Sequence, residues 1–203
     1  MRIRFILTAL ALIMGFSASA QSLHEEFERE LKAKNSDITS IHAEMTQTRN
    51  VAVLADVVTK EGDFYYLEPN NILLSFDDGD YIKLTAEWFE MKSGTNVTKR
   101  STSSNPMLKQ LSTMLTACMK GDMTNIAKGF TPTLTKSDKE WSVILRPERG
   151  KGAAKIAEVE LIFNRKDMSI NRLKMVEKSG DYTMYTFTNK QFYVTIDGQL
   201  FKI

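Results

Sequence analysis

The sequence predicts a mainly β (α+β) fold: one large, strongly curved antiparallel sheet, preceded by a helix and interrupted at its middle by a helical insert. Three observations predict it. From Thr39 onward, apolar and polar residues alternate with a period of two through most of the chain, as in strands with one buried face. Turn signals such as Glu68-Pro69-Asn70-Asn71, Asp77-Asp78-Gly79-Asp80 and Ser179-Gly180-Asp181 divide these stretches. Between Asn105 and Met119 the period changes to that of a helix, with Met107, Leu108, Leu111, Met114, Leu115, Cys118 and Met119 on one stripe.

The first twenty residues read as an export leader. Arg2 and Arg4 form a charged start, Phe5 to Phe16 is an apolar run, and Ser17-Ala18-Ser19-Ala20 supplies the small residues of a cleavage site of bacterial type. The run is short for a bilayer span, which needs about 20 apolar residues. Cleavage after Ala20 removes residues 1–20 and leaves 21–203 as a single domain, long enough for a substantial core. A lipid-anchored protein would carry Cys as its first mature residue; Gln21 stands there, so a soluble mature chain is expected. Cys118 is the only cysteine, which excludes an internal disulfide. The 27 basic and 25 acidic residues come to balance once Arg2 and Arg4 are removed. A neutral chain has no electrostatic footprint for nucleic acid or an anionic membrane surface.

The elements follow in order. Ser22 with Glu25 forms a capping box opening a short helix, whose apolar stripe is Leu23, Phe27 and Leu31, and Asn35-Ser36 breaks it. Ile41, Ala43 and Met45 form the buried face of a first strand. Val51 to Leu67 is β-rich, with Gly62 as its one expected bend or bulge. Ile72, Leu74 and Phe76 lead into the Asp-rich hairpin, Tyr81 to Leu84 return, and Glu87 to Lys92 is a further strand. Ser93 to Ser104, rich in Ser, Thr and Asn, reads as an exposed mobile loop before the helix. A second short helix is expected near Met123 to Phe130. Strands then resume at Thr131–Lys136, Trp141–Arg146, Ala157–Asn164, Ser169–Val176 and Tyr182–Thr188, with a turn at Gly150-Lys151-Gly152. A last short strand near Phe192 to Thr195 and a return at Leu200 to Ile203 complete roughly ten strands. A sheet of this size curls and leaves a concave face, which a mid-chain helix pair is placed to cover.

The catalytic inventory is thin. His24 and His42 have no nucleophile or carboxylate partner at a recognisable spacing, and a solvated or structural role is expected for both. Cys118 lies on the apolar helix face as packing material. Asp77-Asp78-Gly79-Asp80 lacks the spacing and distal Glu of a calcium loop. No Ser-His-Asp spacing, phosphate-cradling Gly loop or metal cluster is present, so the sequence predicts a binding protein without cofactor rather than an enzyme.

Three stretches carry a resemblance. Ile41-His42-Ala43-Glu44-Met45-Thr46-Gln47 is similar to the first strand, Gly62 to Asn70 to a Gly-x-Leu/Phe strand ending in Arg-Pro-Asn, and Asp78-Gly79-Asp80 to an Asp-Gly-Lys hairpin, of the periplasmic carriers of outer-membrane lipoproteins, the LolA family. Tyr182 to Thr188 resembles the family's late strand, and the helical insert lies in the expected order. The resemblance implies an open, incomplete β-barrel closed by a helical lid, whose apolar cavity receives acyl chains. It implies a monomeric periplasmic shuttle for acylated lipoproteins or other lipid cargo, loaded by an inner-membrane ABC complex and emptied by an outer-membrane acceptor. A lipid-sensing regulatory module on the same half-barrel is the alternative.

Strand alternation carried over from the family gives an expected cavity lining of Ile41, Met45, Phe64, Tyr66, Ile72, Leu74, Phe76, Ile82 and Leu84, with Leu111, Met114 and Leu115 from the lid; each fits closed core equally well. One departure stands out. The family's Arg before Pro-Asn, which holds the lid through backbone carbonyls, is Glu68 here, and a carboxylate cannot donate to a carbonyl. Lid control at this position must therefore differ.

Overall fold

The computed structural model describes residues 23–51, 56–148 and 155–203. The leader at 1–20, the cleavage point after Ala20, the Ser22 cap and the Gly150-Lys151-Gly152 turn lie outside the described residues. A helix, α1, spans 23–35. It is followed by β1 (Ser40–Val51), β2 (Asp56–Leu67), β3 (Asn71–Phe76), β4 (Tyr81–Leu84), β5 (Trp88–Ser93) and β6 (Asn96–Ser101). The helical insert is α2 (Pro106–Lys120) and α3 (Met123–Ile126). The chain then returns through β7 (Phe130–Lys136), β8 (Glu140–Pro147), β9 (Ile156–Asn164), β10 (Ile170–Glu177) and β11 (Tyr182–Phe192).

All of these strands join one 11-stranded sheet in the order β6-β5-β4-β3-β2-β1-β11-β10-β9-β8-β7. Every pairing is antiparallel. The chain starts at the centre and runs outward by hairpins to β6. It crosses through α2 and α3 and works inward from β7 until β11 pairs with β1. The sheet is open, and its edges β6 and β7 are joined by the helical insert.

Alternation decides which face is buried. Ile72 and Leu74 on β3, Trp141, Val143 and Leu145 on β8, and Val159, Leu161 and Phe163 on β9 are sealed from solvent. A single hydrophobic cluster spans the concave face and takes in α1, α2 and α3. Phe27 of α1 meets Trp141 and Phe163 edge-on, with centroids 5.3 and 5.2 Å away. Above them Trp141 Nε1 donates to Glu30 Oε2 at 2.9 Å, satisfying the polar atom of a buried indole.

Four expectations are corrected. Residues 93–104 are a hairpin rather than a mobile loop: β5 runs to Ser93, Gly94 turns at φ 58°, β6 follows, and Thr102–Ser104 form a 3-10 turn. Backbone pairing is indifferent to side-chain polarity, and an edge strand tolerates Lys99 and Arg100 because most of its side chains are wet. Gly62 makes no bulge. Its register is continuous on both sides, and a Cβ there would lie 2.0 Å from Ser75 O, so glycine permits the close approach of β3. Register shifts lie elsewhere: between His42 and Glu44 against β11, opposite Asn189 at φ 47°, and at Ile170/Arg172 and Val176/Glu177 against β9. At the C terminus β11 is continuous to Phe192, and Gly198–Phe201 is a 3-10 turn capped by Asp197 rather than a returning strand. The second helix ends at Ile126, because β7 begins at Phe130.

Candidate functional site: an apolar interior beneath α2

Local sequence sets α2 firmly. Asn105 Oδ1 accepts from the N–H groups of Met107 (3.1 Å) and Leu108 (3.2 Å), and Pro106 occupies the first helical position. Gly121 ends the helix in the left-handed region at φ 67°, its N–H turned back to the Ala117 and Cys118 carbonyls. A Cβ at Gly121 would lie 2.9 Å from Leu31 O, so α1 and α2 touch backbone to backbone at this end.

All twelve residues expected to line a cavity lie in the one buried cluster. The most exposed, Ile82, shows 8% of its surface. Leu111, Met114 and Leu115 project from α2 into the concave face, where Phe64 meets Phe187 edge-on at 4.9 Å. Tyr66 is pushed up to about 12 by burial and by the nearby Glu68 charge, so its hydroxyl stays protonated. The C-terminal strands contribute as much as the N-terminal ones, through Tyr185, Phe187, Leu173 and Met175. Those residues obey the same alternation and were legible by it.

The lining is closed over by side chains. A void of about 10 Å³ lies among Ile41, Ala43, Phe64, Met119 and Phe187. That is on the order of one water.

Two polar contacts tie down the C-terminal end of α2. Asn35, 2% exposed, donates through Nδ2 to Cys118 O at 2.8 Å and to Met168 O at 3.0 Å, joining α1, α2 and the β9–β10 turn. Its Oδ1 is buried without a partner. Nothing local in the sequence marks this residue beyond its place as a helix breaker, since both acceptors are far along the chain. At the surface, Glu68 Oε1 accepts from Lys120 Nζ at 3.3 Å. Glu68 thus meets α2 through an ammonium on the helix itself. Both groups are part-exposed, so the pair contributes about 0–1 kcal/mol.

Two further motifs resolve. Lys60 stands between Asp78 Oδ2 (2.7 Å) and Asp80 Oδ2 (2.5 Å), so the Asp-rich turn is an ion-paired hairpin. His42, expected to lack a carboxylate partner, has one: its Nε2 lies 2.7 Å from Asp63 Oδ1, and its ring stacks on Tyr65 at 4.7 Å. Cross-strand pairing of β1 with β2, invisible as linear spacing, brings them together. Burial pushes the Cys118 thiol well above its ordinary value, which keeps it unreactive.

Residues 36–203 match the family described as outer membrane lipoprotein carrier protein LolA. The chain belongs to this family. No curated protein matches it closely enough to count as a relative. Among solved structures, an uncharacterised conserved protein from Thermus thermophilus is similar at 12% identity and TM-score 0.50, over 91% of this chain and 94% of that one. A putative outer membrane lipoprotein-sorting protein domain from Vibrio parahaemolyticus is similar at 13% identity and TM-score 0.48, over 87% and 94%. The LolA superfamily protein NE2245 from Nitrosomonas europaea is similar at 10% identity and TM-score 0.44, over 91% and 97%. Among the described residues of this LolA-family chain, no helix is long and apolar enough to cross a membrane.

Proposed function

We propose that this LolA-family chain is an exported periplasmic carrier that holds the acyl chains of lipoproteins in its apolar interior. In this reading it collects cargo from an inner-membrane ABC release complex and delivers it to an outer-membrane acceptor. Ile41, Met45, Phe64, Tyr66, Ile72, Leu74, Phe76, Ile82 and Leu84 form the wall, and Leu111, Met114 and Leu115 the underside of a lid, α2. The observation that carries the reading is how the interior is sealed: the insert that connects the end strands β6 and β7 carries α2, whose Met and Leu side chains pack into the buried cluster. Met re-packs readily around apolar partners. Lifting α2 exposes apolar side chains at a cost of about 1.5–3 kcal/mol for each one fully uncovered. An incoming acyl chain offsets this at about 0.8 kcal/mol per buried CH₂.

The test is native mass spectrometry of the protein taken from its own periplasm, with the intact mass of the mature chain read alongside. The expected result is a chain beginning at Gln21 that carries non-covalent acylated cargo. A covalently acylated chain, or one that binds no acyl probe after delipidation, would overturn the carrier reading.

A further inference from the structure

The small void of the interior lies between the end of α1 and the end of β11, and polar side chains reach it as well as apolar ones. Beside Ile41, Ala43, Phe64, Met119 and Phe187, its lining includes Asn35, Ser169 and Lys190. Lys190 and Phe192, which also line it, are part-exposed, so the void sits at the rim of the core rather than at its centre. Its volume of about 10 Å³ is on the scale of one polar group, not of a chain.

The hydrogen-bonding capacity of the three polar residues differs. Ser169 Oγ donates to Asp167 Oδ1 at 2.6 Å. Lys190 Nζ donates to Ile170 O at 3.1 Å and to Asn171 Oδ1 at 2.5 Å. Asn35 commits Nδ2 to the Cys118 and Met168 carbonyls, but its Oδ1 is buried without a partner, on a residue only 2% exposed. A carboxamide oxygen can only accept, so an unpaired one in an apolar wall favours a group with an N–H or O–H over one with acceptors alone. Asn35 also belongs to α1 and is tied to the β9–β10 turn through Met168, so movement of α2 costs it the Cys118 bond and leaves it in place.

We infer that Asn35 Oδ1 is the acceptor for the N–H of an amide-linked acyl chain. The inference rests on the carrier reading above and names the kind of acyl linkage that the carrier prefers. A chain joined to a polypeptide through nitrogen carries one N–H where alkane meets peptide, and an ester-linked chain carries none. With the alkane among Ile41, Phe64 and Phe187, that N–H meets Asn35 at the rim, and the polypeptide leaves past Lys190 and Phe192. An ester in the same place leaves Oδ1 buried and unpaired. Apolar burial by itself favours the ester, because an amide is costlier to take out of water. A preference for the amide is therefore a signature of the pairing.

The test is displacement of a fluorescent fatty acid from the delipidated protein by three competitors: N-methyldodecanamide, N,N-dimethyldodecanamide and methyl dodecanoate. Only the first carries an N–H. The expected result is that it binds wild type about tenfold more tightly than either of the others. In Asn35→Leu the three should become equal within about twofold, whatever common change a loosened α2 brings to all of them. The comparison within wild type decides the matter by itself if Asn35→Leu does not fold. A secondary amide that binds wild type no better than the tertiary amide would overturn the inference and leave Oδ1 to an ordered water. A preference that survives in folded Asn35→Leu would overturn it too. Failure of the fluorescent fatty acid to bind wild type strikes the carrier reading, and the inference with it, a distinct outcome.

Discussion

Asn35 and Cys118 are joined by a buried hydrogen bond of 2.8 Å from the side-chain amide of one to the backbone carbonyl of the other, across a sequence separation of 83. It is the deepest polar tie between α2 and the rest of the molecule described above. The acceptor residue carries the chain's single thiol, so the bond and a natural reporter of its state occupy one helical turn.

Asn35→Ala removes both bonds and leaves the Cys118 and Met168 carbonyls buried without their donor. The expected loss of stability is about 1–3 kcal/mol, the cost of stranding buried polar groups. Labelling of Cys118 by an aromatic disulfide reagent should quicken by tenfold or more under native conditions. A stability loss with unchanged labelling would show that Asn35 supports the fold without holding α2 closed.

The Glu68–Lys120 pair predicts an effect of charge sign. Lys120→Glu sets two carboxylates together at the end of α2 and should raise Cys118 labelling a few-fold at low salt, with the difference shrinking in high salt. The double exchange Glu68→Lys with Lys120→Glu should restore the wild-type rate. Glu68→Arg, by contrast, meets the Lys120 ammonium and should loosen α2. A slower labelling rate in Glu68→Arg would mean that its guanidinium has found carbonyl acceptors on the helix.

Leu74→Glu places a carboxylate among groups shut off from water and should cost on the order of 3 kcal/mol or more. If the interior opens to receive cargo, a folded fraction at low temperature should bind no acyl probe. Acyl binding undiminished in Leu74→Glu would place the lipid elsewhere.

The Asp78–Lys60–Asp80 cluster sets a pH window. The Lys60 ammonium, hydrogen-bonded to both carboxylates, holds Asp78 and Asp80 below the ordinary 3.8 and is itself held above 10.5. The carboxylates are lowered, so their contribution is present above 3.8 and is lost as acid carries them through their folded values. Lys60 is raised, so its contribution is present below 10.5 and is lost in strong alkali. Gly94 N–H donates to Asp80 Oδ1 at 2.7 Å, so the Gly94 amide shift should titrate below about pH 4. In Lys60→Met that titration should move upward.

Much of this was legible from the residues. The period-two strands, the helix of the insert and the burial of the twelve positions carried over from the family were legible, because burial on one face imposes a pattern on the chain. The 93–104 hairpin was not legible: its pairing resides in backbone groups, while its side chains have the composition of a loop. Nor were Asn35, Lys120 as partner of Glu68, or the His42–Asp63 contact. Each joins residues whose proximity is created by the sheet register or by helix docking, and neither leaves a mark in linear spacing.

The open sheet has a mechanical consequence. Its two halves are separate meanders whose strand ladders join only at β1 and β11 among the described residues, and their outer rims are linked through residues 102–129. Spreading the rims breaks no rung of either ladder, because no rung joins them. The girth of the molecule is set by side-chain filling and by the length of that segment. The distance between β6 and β7 can therefore change while every strand stays hydrogen-bonded to the neighbours it has now.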